Sequence, residues 1–135
     1  MNRLVSEAQG GGFGKQLFTA IKRKLPDVEI TAVGTNSVAT GAMLKAGADH
    51  GATGENPVIV VARKADIIAG PIGIVIADSL YGEITPAMAL AVAQSNAKRI
   101  LIPFNHCDNI IAGVSDLSVG KLIQSAVEEI RKILA

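Results

Sequence analysis

Aromatic residues are scarce in this chain of 135 residues, which has three Phe, one Tyr and no Trp. Apolar residues nevertheless make up 49% of the sequence, so the core must be built mainly from Ile, Val, Leu and Ala. That mixture is typical of parallel strands covered by helices. At this length we expect one domain, residues 1–135, which buries roughly two-thirds of the surface of the unfolded chain.

An excess of charge of one sign is also lacking. Lys and Arg number 13 against 12 Asp and Glu, and the net charge is +1. No global field therefore favours nucleic acid or an anionic membrane, and we expect neither as a partner. The single cysteine, Cys107, excludes an internal disulfide and fits a reducing cytoplasm. No apolar run approaches the roughly 20 residues of a membrane-spanning helix, so we expect a cytoplasmic protein.

Short apolar runs alternate with amphipathic segments along the chain, which predicts strands and helices in turn. Pro26 ends the first helix, and Thr85 followed by Pro86 is a typical helix start. Residues 55–65 fit either class: the run Val-Ile-Val-Val suits a strand, while Asn56 as N-cap before Pro57 favours a helix, which we prefer. The predicted strands are 3–8, 27–34, 48–54, 66–70 and 98–104; the predicted helices are 14–25, 37–47, 55–65, 85–95 and 118–135, with a glycine-broken turn and a short helix in 71–84.

This alternation predicts an α/β fold with a mostly parallel sheet of about five strands and helices on both of its faces. Because crossovers between parallel strands are right-handed, the expected strand order is 3-2-1-4-5. The fold class is therefore a doubly wound, Rossmann-like domain of three layers. In such a domain, ligands bind at the carboxyl ends of the strands.

The segment QGGGFGKQ, residues 9–16, follows the first predicted strand. It leads into the N-terminus of the first helix, where unpaired N–H groups and the helix dipole suit an anion. Glycines allow the backbone to approach a phosphate closely. Lys15 would lie unfavourably beside the positive end of that dipole unless an anion were bound there. The segment therefore predicts a phosphate-binding loop, although an exposed lysine after a tight turn is the plain alternative.

The loop matches neither of two common fingerprints. In the dinucleotide pattern G-x-G-x-x-G, Gly10 and Gly12 fit but Lys15 takes the third position. The end of the second strand reads VGTNS and offers no carboxylate for a ribose. In the P-loop pattern, Gly14 precedes the lysine correctly, but Gln16 replaces the hydroxyl residue that holds magnesium. We therefore expect an anion without a metal.

Polar loops follow the other predicted strands as well, with the sequences GTNS, TGEN and GPIG. In a doubly wound sheet these loops share one rim, so their residues can contact one ligand, although Thr, Asn and Gly are also ordinary turn residues. Thr35 or Asn36 could bond a ribose, and either Asn36 or Ser37 could cap the second helix. The predicted ligand-contacting residues are Gly10, Gly11, Gly12, Phe13, Gly14, Lys15, Thr35, Asn36, Ser37, Gly54, Glu55, Asn56, Gly70 and Pro71.

Catalytic residues cannot be assigned from spacing. Glu55 is the best-placed carboxylate for a general base or for ribose hydroxyls, although a solvated turn also explains it. His106 and Cys107 are adjacent, with no second histidine or acid at triad spacing. The set of His50, His106 and Cys107 shows no metal-ligand spacing either.

Several stretches resemble a bacterial family of small proteins that begins with a motif of the type GQGGGIGK and has no established function. The stretches are QGGGFGKQL (9–17), GTNSVATGAMLKAGAD (34–49), GATGENP (51–57), ADIIAGPIGIVIADS (65–79), GEITPAMA (82–89) and ILIPFN (100–105). The resemblance implies a Rossmann-like fold and a bacterial cytosolic origin, and it implies no activity.

Three functions remain open from the sequence. The first is a module that binds a nucleotide or another phosphorylated small molecule. The second is a small enzyme that uses NAD(P) or acts on a phosphometabolite, with its site completed by a partner subunit. The third is a structural protein in which the glycine loop is only a turn. The apolar segment GPIGIVIADSLYG favours a homo-oligomer, because a partner could cover it.

Overall fold

The computed structural model describes residues 3–6, 12–104 and 109–135. The strands are β1 (Arg3–Ser6), β2 (Glu29–Gly34), β3 (His50–Thr53), β4 (Ile67–Pro71) and β5 (Lys98–Ile102). The helices are α1 (Gly12–Lys24), α2 (Ser37–Lys45), α3 (Glu55–Lys64), α4 (Pro86–Gln94) and α5 (Val119–Leu134), with one 3₁₀ turn at Ile72–Val75. None of the helices in this part of the chain combines the length and the apolar character that a membrane crossing requires.

The strands form a parallel sheet in the order β3-β2-β1-β4-β5. In the central strand, Leu4 lies between Ile30 of β2 and Ile67 of β4. The predicted α/β class is confirmed, and residues 55–65 contribute a helix rather than a strand. Because all strands run the same way, the turns that follow them share one end of the sheet, which we call the carboxyl edge. The opposite end is the amino edge.

Two apolar clusters pack on the two faces of the sheet. One joins α1 and α5 to the sheet and includes the fully buried Leu17, Phe18 and Ile130. The other joins α3 and α4 to the sheet and includes the fully buried Ile68 and Val92. This division is what a doubly wound sheet requires, because both of its faces must be covered.

Short polar side chains cap the N-termini of α2 and α4. The Asn36 side chain accepts a hydrogen bond from Ala39 N at 2.9 Å at the start of α2. Thr85 does the same for Met88 N at 3.2 Å, with Pro86 as the first residue of α4. Each cap satisfies a backbone N–H that has no partner within the helix. Asn36, rather than Ser37, is therefore the cap of α2.

The start of α3 corrects a prediction, because its N-cap is Gly54 and not Asn56. Gly54 has a φ of 110°, which turns the chain sharply out of β3. Its N–H donates to Gly34 O at 3.0 Å, so the turn stays pinned to the neighbouring strand. Asn56 consequently lies inside the first helical turn, and no side chain caps this helix.

Two further differences between the predicted and observed boundaries concern the candidate site. Helix α1 begins at Gly12 rather than at residue 14, so the end of the glycine loop is itself helical. Strand β4 extends one residue beyond the predicted strand 66–70 and includes Pro71. Pro71 has φ −58° and ψ 148°, an extended conformation that its ring allows, so it can pair with Ile102 as the last residue of the strand.

Candidate functional site

The first turn of α1 presents backbone N–H groups at the carboxyl edge. Gly12 and Lys15 are exposed there, and no acidic residue occurs in the turn. Gly14 is buried, so its missing side chain serves packing. Phe13 is 8% exposed and its ring stacks on the ring of Phe104 with 4.4 Å between ring centroids, so the side chain packs within the chain and its contact with a ligand stays a prediction. Gly12 and Lys15 are therefore the groups that this turn offers to a ligand.

A groove along α2 brings together residues from two predicted loops. Its volume is about 430 Å³, and we call it the Lys15 groove. Lys15 from α1 and Ser37 from α2 line it, which places two predicted site residues side by side. The remaining lining residues are Val38, Gly41, Ala42 and Lys45. Among the described residues, the lining thus holds two cations and no carboxylate.

The two lysines of the Lys15 groove lack acidic partners in the described part of the chain. The four ion pairs found there involve Lys22, His50, Arg131 and Lys132. Neither Lys15 nor Lys45 takes part in any of them. Lys15 lies in the first turn of α1, whereas Lys45 lies in the last turn of α2. Lys15 and Ser37 therefore place an unpaired ammonium group and a hydroxyl beside two helix N-termini, which is a suitable environment for an anion.

The turn between β2 and α2 is tightly built. A Cβ atom on Gly34 would meet the side chain of Thr40 and would lie 2.8 Å from Thr40 N, so only glycine fits without a shift of the backbone. Thr40 is buried, and its hydroxyl lies 2.8 Å from the hydroxyl of Thr53 at the end of β3. No local sequence pattern marks Thr40 as part of this turn. These contacts fix the position of Thr35 and Asn36 on the carboxyl edge.

The structure brings an unpredicted carboxylate to that turn. Thr35 Oγ1 donates to Glu83 Oε2 at 3.2 Å, and Asn36 Nδ2 donates to Glu83 Oε1 at 3.2 Å. We call this arrangement the Glu83 bridge. Glu83 is 47 residues beyond Asn36 in sequence, and no local signal connects the two. The acid that the end of β2 lacks in sequence is thus supplied by another loop.

The loop that carries Glu83 has an unusual backbone. Asp78, Leu80 and Tyr81 have φ values of 64°, 56° and 56°, and Gly82 has 82°. Left-handed conformations at residues with a side chain cost roughly 1–2 kcal/mol each. The surroundings hold the loop in place: Ile84 N donates to Ser79 O at 3.3 Å, and Asp78 N donates to Ile84 O at 2.7 Å.

The same loop weakens the sequence argument for a partner subunit. Of the apolar segment that favours an oligomer, Gly73, Ile74 and Leu80 are buried against the chain's own α3–α4 cluster. Tyr81, by contrast, is completely exposed. The buried part of this segment is therefore already packed against the chain's own α3 and α4.

The other predicted site residues are not all in one place. Gly54, Glu55 and Asn56 lie at the start of α3, beside the edge strand, and both polar side chains are exposed. Gly70 and Pro71 are buried at the end of β4, so Pro71 belongs to the strand and not to the following loop, and the contact of both residues with a ligand stays a prediction. Gly10 and Gly11 lie outside the described residues, as do His106 and Cys107.

One family matches residues 3–135, nearly the entire sequence. The chain belongs to this family, DUF3842, a domain of unknown function. The resemblance to an uncharacterised family that the sequence motifs indicate is thereby confirmed. No curated protein matches the chain.

Among solved structures, the chain is similar to a dodecameric FMN-dependent Ubix-like decarboxylase from Escherichia coli O157:H7. The TM-score is 0.46 and the sequence identity is 15%, over 99% of this chain and 94% of the other. A similarity of this size does not indicate a shared ligand, reaction or assembly. What the DUF3842 chain binds must be argued from its own residues.

Charged groups at the amino edge are arranged differently. Lys22 Nζ donates to Asp49 Oδ2 at 3.0 Å and to Val28 O at 2.8 Å, and Asp49 also accepts from Ile30 N at 2.8 Å. The pKa of Asp49 is lowered, first by the bond from Ile30 N and next by the bond from Lys22. These bonds favour the ionised carboxylate and tie α1 to β2 and β3.

His50 also belongs to the amino edge, since it is the first residue of β3. Its Nε2 lies 3.4 Å from Glu29 Oε1, and both side chains are exposed. His50 is therefore at the opposite end of the sheet from the Lys15 groove. Across residues 3–6, 12–104 and 109–135, the structure contains no group of three or more His, Cys, Asp or Glu that could hold a metal ion.

Proposed function

We propose that this DUF3842 protein binds a phosphorylated small molecule, such as a nucleotide, at the carboxyl edge beside α1 and α2. The observation that carries the proposal is the Lys15 groove, in which Lys15 from α1 and Ser37 from α2 meet and the described lining residues include no carboxylate. The proposal assigns binding and no reaction. Location in the cytoplasm and assembly into a homo-oligomer stay predictions.

The chemistry of the groove supports an anion over an apolar ligand. The exposed first turn of α1 provides N–H donors, and Lys15 provides a mobile ammonium group close to them. A bound phosphate would offset the unfavourable position of Lys15 at the positive end of the helix dipole. The Ser37 hydroxyl adds a neutral donor on the opposite wall of the groove.

Calorimetric titration with inorganic phosphate, sugar phosphates and ribonucleoside 5′-monophosphates tests the proposal. We expect at least one of these compounds to bind, and we expect Lys15→Met to weaken that binding about 10-fold, the effect of one lost charge-assisted hydrogen bond of ~1.4 kcal/mol.

Lys64→Met is the matched control, because Lys64 ends α3 at the amino edge and its removal changes the net charge equally. The control should bind as the unmodified protein does. Equal weakening by both substitutions would show a general charge effect and would contradict the proposal. So would the failure of every compound in the panel to bind.

A further inference from the structure

We infer that Glu83 recognises the vicinal diol of a ribose, so that the ligand at the carboxyl edge is a ribonucleotide and not merely a phosphate. This inference rests on the proposed function and narrows its ligand class. Its basis is the Glu83 bridge, which adjoins the Lys15 groove through consecutive residues: Asn36 contacts Glu83, and Ser37 lines the groove.

The hydrogen-bonding capacity of Glu83 is only half used within the described residues. Each oxygen of an ionised carboxylate accepts about two hydrogen bonds, and each oxygen of Glu83 accepts one, from Thr35 or from Asn36. No cation pairs with it in the part of the chain that the structure describes. Two acceptor sites, one on each oxygen, therefore remain for a ligand with two adjacent hydroxyl donors.

The orientation of this carboxylate is fixed in advance. Asn36 cannot turn away from Glu83 without losing its cap on α2, because its Oδ1 accepts from Ala39 N while its Nδ2 donates to the carboxylate. On the other side, Glu83 follows four residues, Asp78 and 80–82, with left-handed backbone. Strained backbone of this kind persists where the surroundings hold it and is common at binding sites.

The location matches a general requirement of nucleotide binding by doubly wound sheets. An acid near the end of the second strand bonds the ribose hydroxyls, while the phosphate lies at the N-terminus of the first helix. Here the second strand ends without an acid, and Glu83 reaches the same place from the loop after β4. A plain phosphate would gain nothing from this carboxylate, whereas a diol would.

The test compares a ribonucleoside 5′-monophosphate with its 2′,3′-dideoxy analogue by calorimetric titration. The unmodified protein should bind the ribonucleotide about 10-fold more tightly, since a hydrogen bond to a charged group contributes ~1.5 kcal/mol or more. In Glu83→Gln, this preference should fall to about 2-fold while the affinity for the dideoxy analogue stays nearly unchanged, because the phosphate contacts are kept.

Glu29→Gln is the matched control, because Glu29 starts the same strand, β2, at the amino edge and is exposed. This variant should keep the 10-fold preference. Thermal unfolding without ligand checks that both variants fold, and Glu83→Ala gives a second variant if Glu83→Gln does not.

The two proposals fail in distinguishable ways. If both nucleotides bind equally, or if the preference survives in Glu83→Gln, the role of Glu83 is overturned while phosphate binding at the Lys15 groove stands. The same holds if sugar phosphates bind and nucleotides do not. If no phosphorylated compound binds at all, both proposals are overturned.

Discussion

At the amino edge of the sheet, charged side chains bond to one another, whereas at the carboxyl edge they are left with unused capacity. Lys22 and Asp49 satisfy each other and two backbone groups. Lys15 has no acidic partner among the described residues, and Glu83 bonds to neutral donors only.

This contrast indicates that the amino edge contributes to stability, whereas the carboxyl edge is open to a ligand. A closed network such as that of Lys22 and Asp49 links three elements and leaves little for another molecule to bind. Side chains held in fixed positions without full pairing are poor stabilisers but good recognition groups. Substitutions of charged residues at the amino edge should therefore lower stability, whereas those at the carboxyl edge should weaken ligand binding.

Gly34→Ala should produce the largest loss of stability, about 2–3 kcal/mol, because its Cβ would overlap Thr40 in an already packed turn. Urea unfolding measures the change. Gly120→Ala in α5 is the control, since a Cβ there meets nothing within 4 Å, and it should leave stability unchanged or raise it slightly. Equal effects of the two substitutions would mean that the turn after β2 is not sterically constrained.

Asp49→Ala should lower the free energy of unfolding by about 1–2 kcal/mol, because it removes the acceptor of Ile30 N and the ion-pair partner of Lys22. Asp27→Ala, in the exposed turn before β2, removes an equal charge and should change stability by less than about 0.5 kcal/mol. A smaller loss for Asp49 than for Asp27 would contradict the stabilising role of the Lys22–Asp49 network at the amino edge.

The contribution of Asp49 should depend on pH. Its folded-state pKa lies below the ordinary value of 3.8, so the unfolded chain takes up its proton first as the pH falls. The stabilisation is complete above about pH 5 and is lost as the pH falls through the folded-state pKa. The stability difference between the unmodified protein and Asp49→Asn, measured by urea unfolding, should therefore shrink between pH 6 and pH 3. A difference that stays constant over this range would contradict the assignment.

Lys15→Met should have the smallest effect on stability, within about 0.5 kcal/mol, because the Lys15 side chain is exposed and unpaired within the described residues. Lys22→Met, which removes both bonds of the Lys22 ammonium group, should cost about 1 kcal/mol. Thermal or urea unfolding without ligand distinguishes them. A large loss of stability for Lys15→Met would indicate a structural role and would weaken the case for a ligand.

Local patterns in the sequence were sufficient for the helices and strands. The 3.6-residue period of α5, the cap at Thr85 and the stop at Pro26 depend on neighbouring residues, and all three agree with the structure. The exceptions lie where tertiary contacts decide. Pairing with β5 extends β4 through Pro71, and the bond from Gly54 N to Gly34 O makes Gly54 the start of α3.

The candidate site was predictable in part for the same reason. Lys15 and Ser37 lie at the starts of the helices that follow the first two predicted strands, so topology alone indicated that they share an edge of the sheet. Phe13 belongs to the same glycine-rich segment as Lys15, but its ring packs on Phe104. The two rings are 91 residues apart in sequence, so no local pattern reveals this contact.

Sequence patterns are enough to predict the alternation of strands and helices, the glycine-rich entry to α1 and the position of Lys15 in its first turn. These features depend on residues that are neighbours in the chain. The folded structure is needed to show that Glu83 bonds to the turn after β2 and that Lys15, Ser37 and Lys45 line one groove. The physical reason is that a hydrogen bond between side chains depends on where the folded backbone places them, and parallel crossovers bring together residues far apart in sequence.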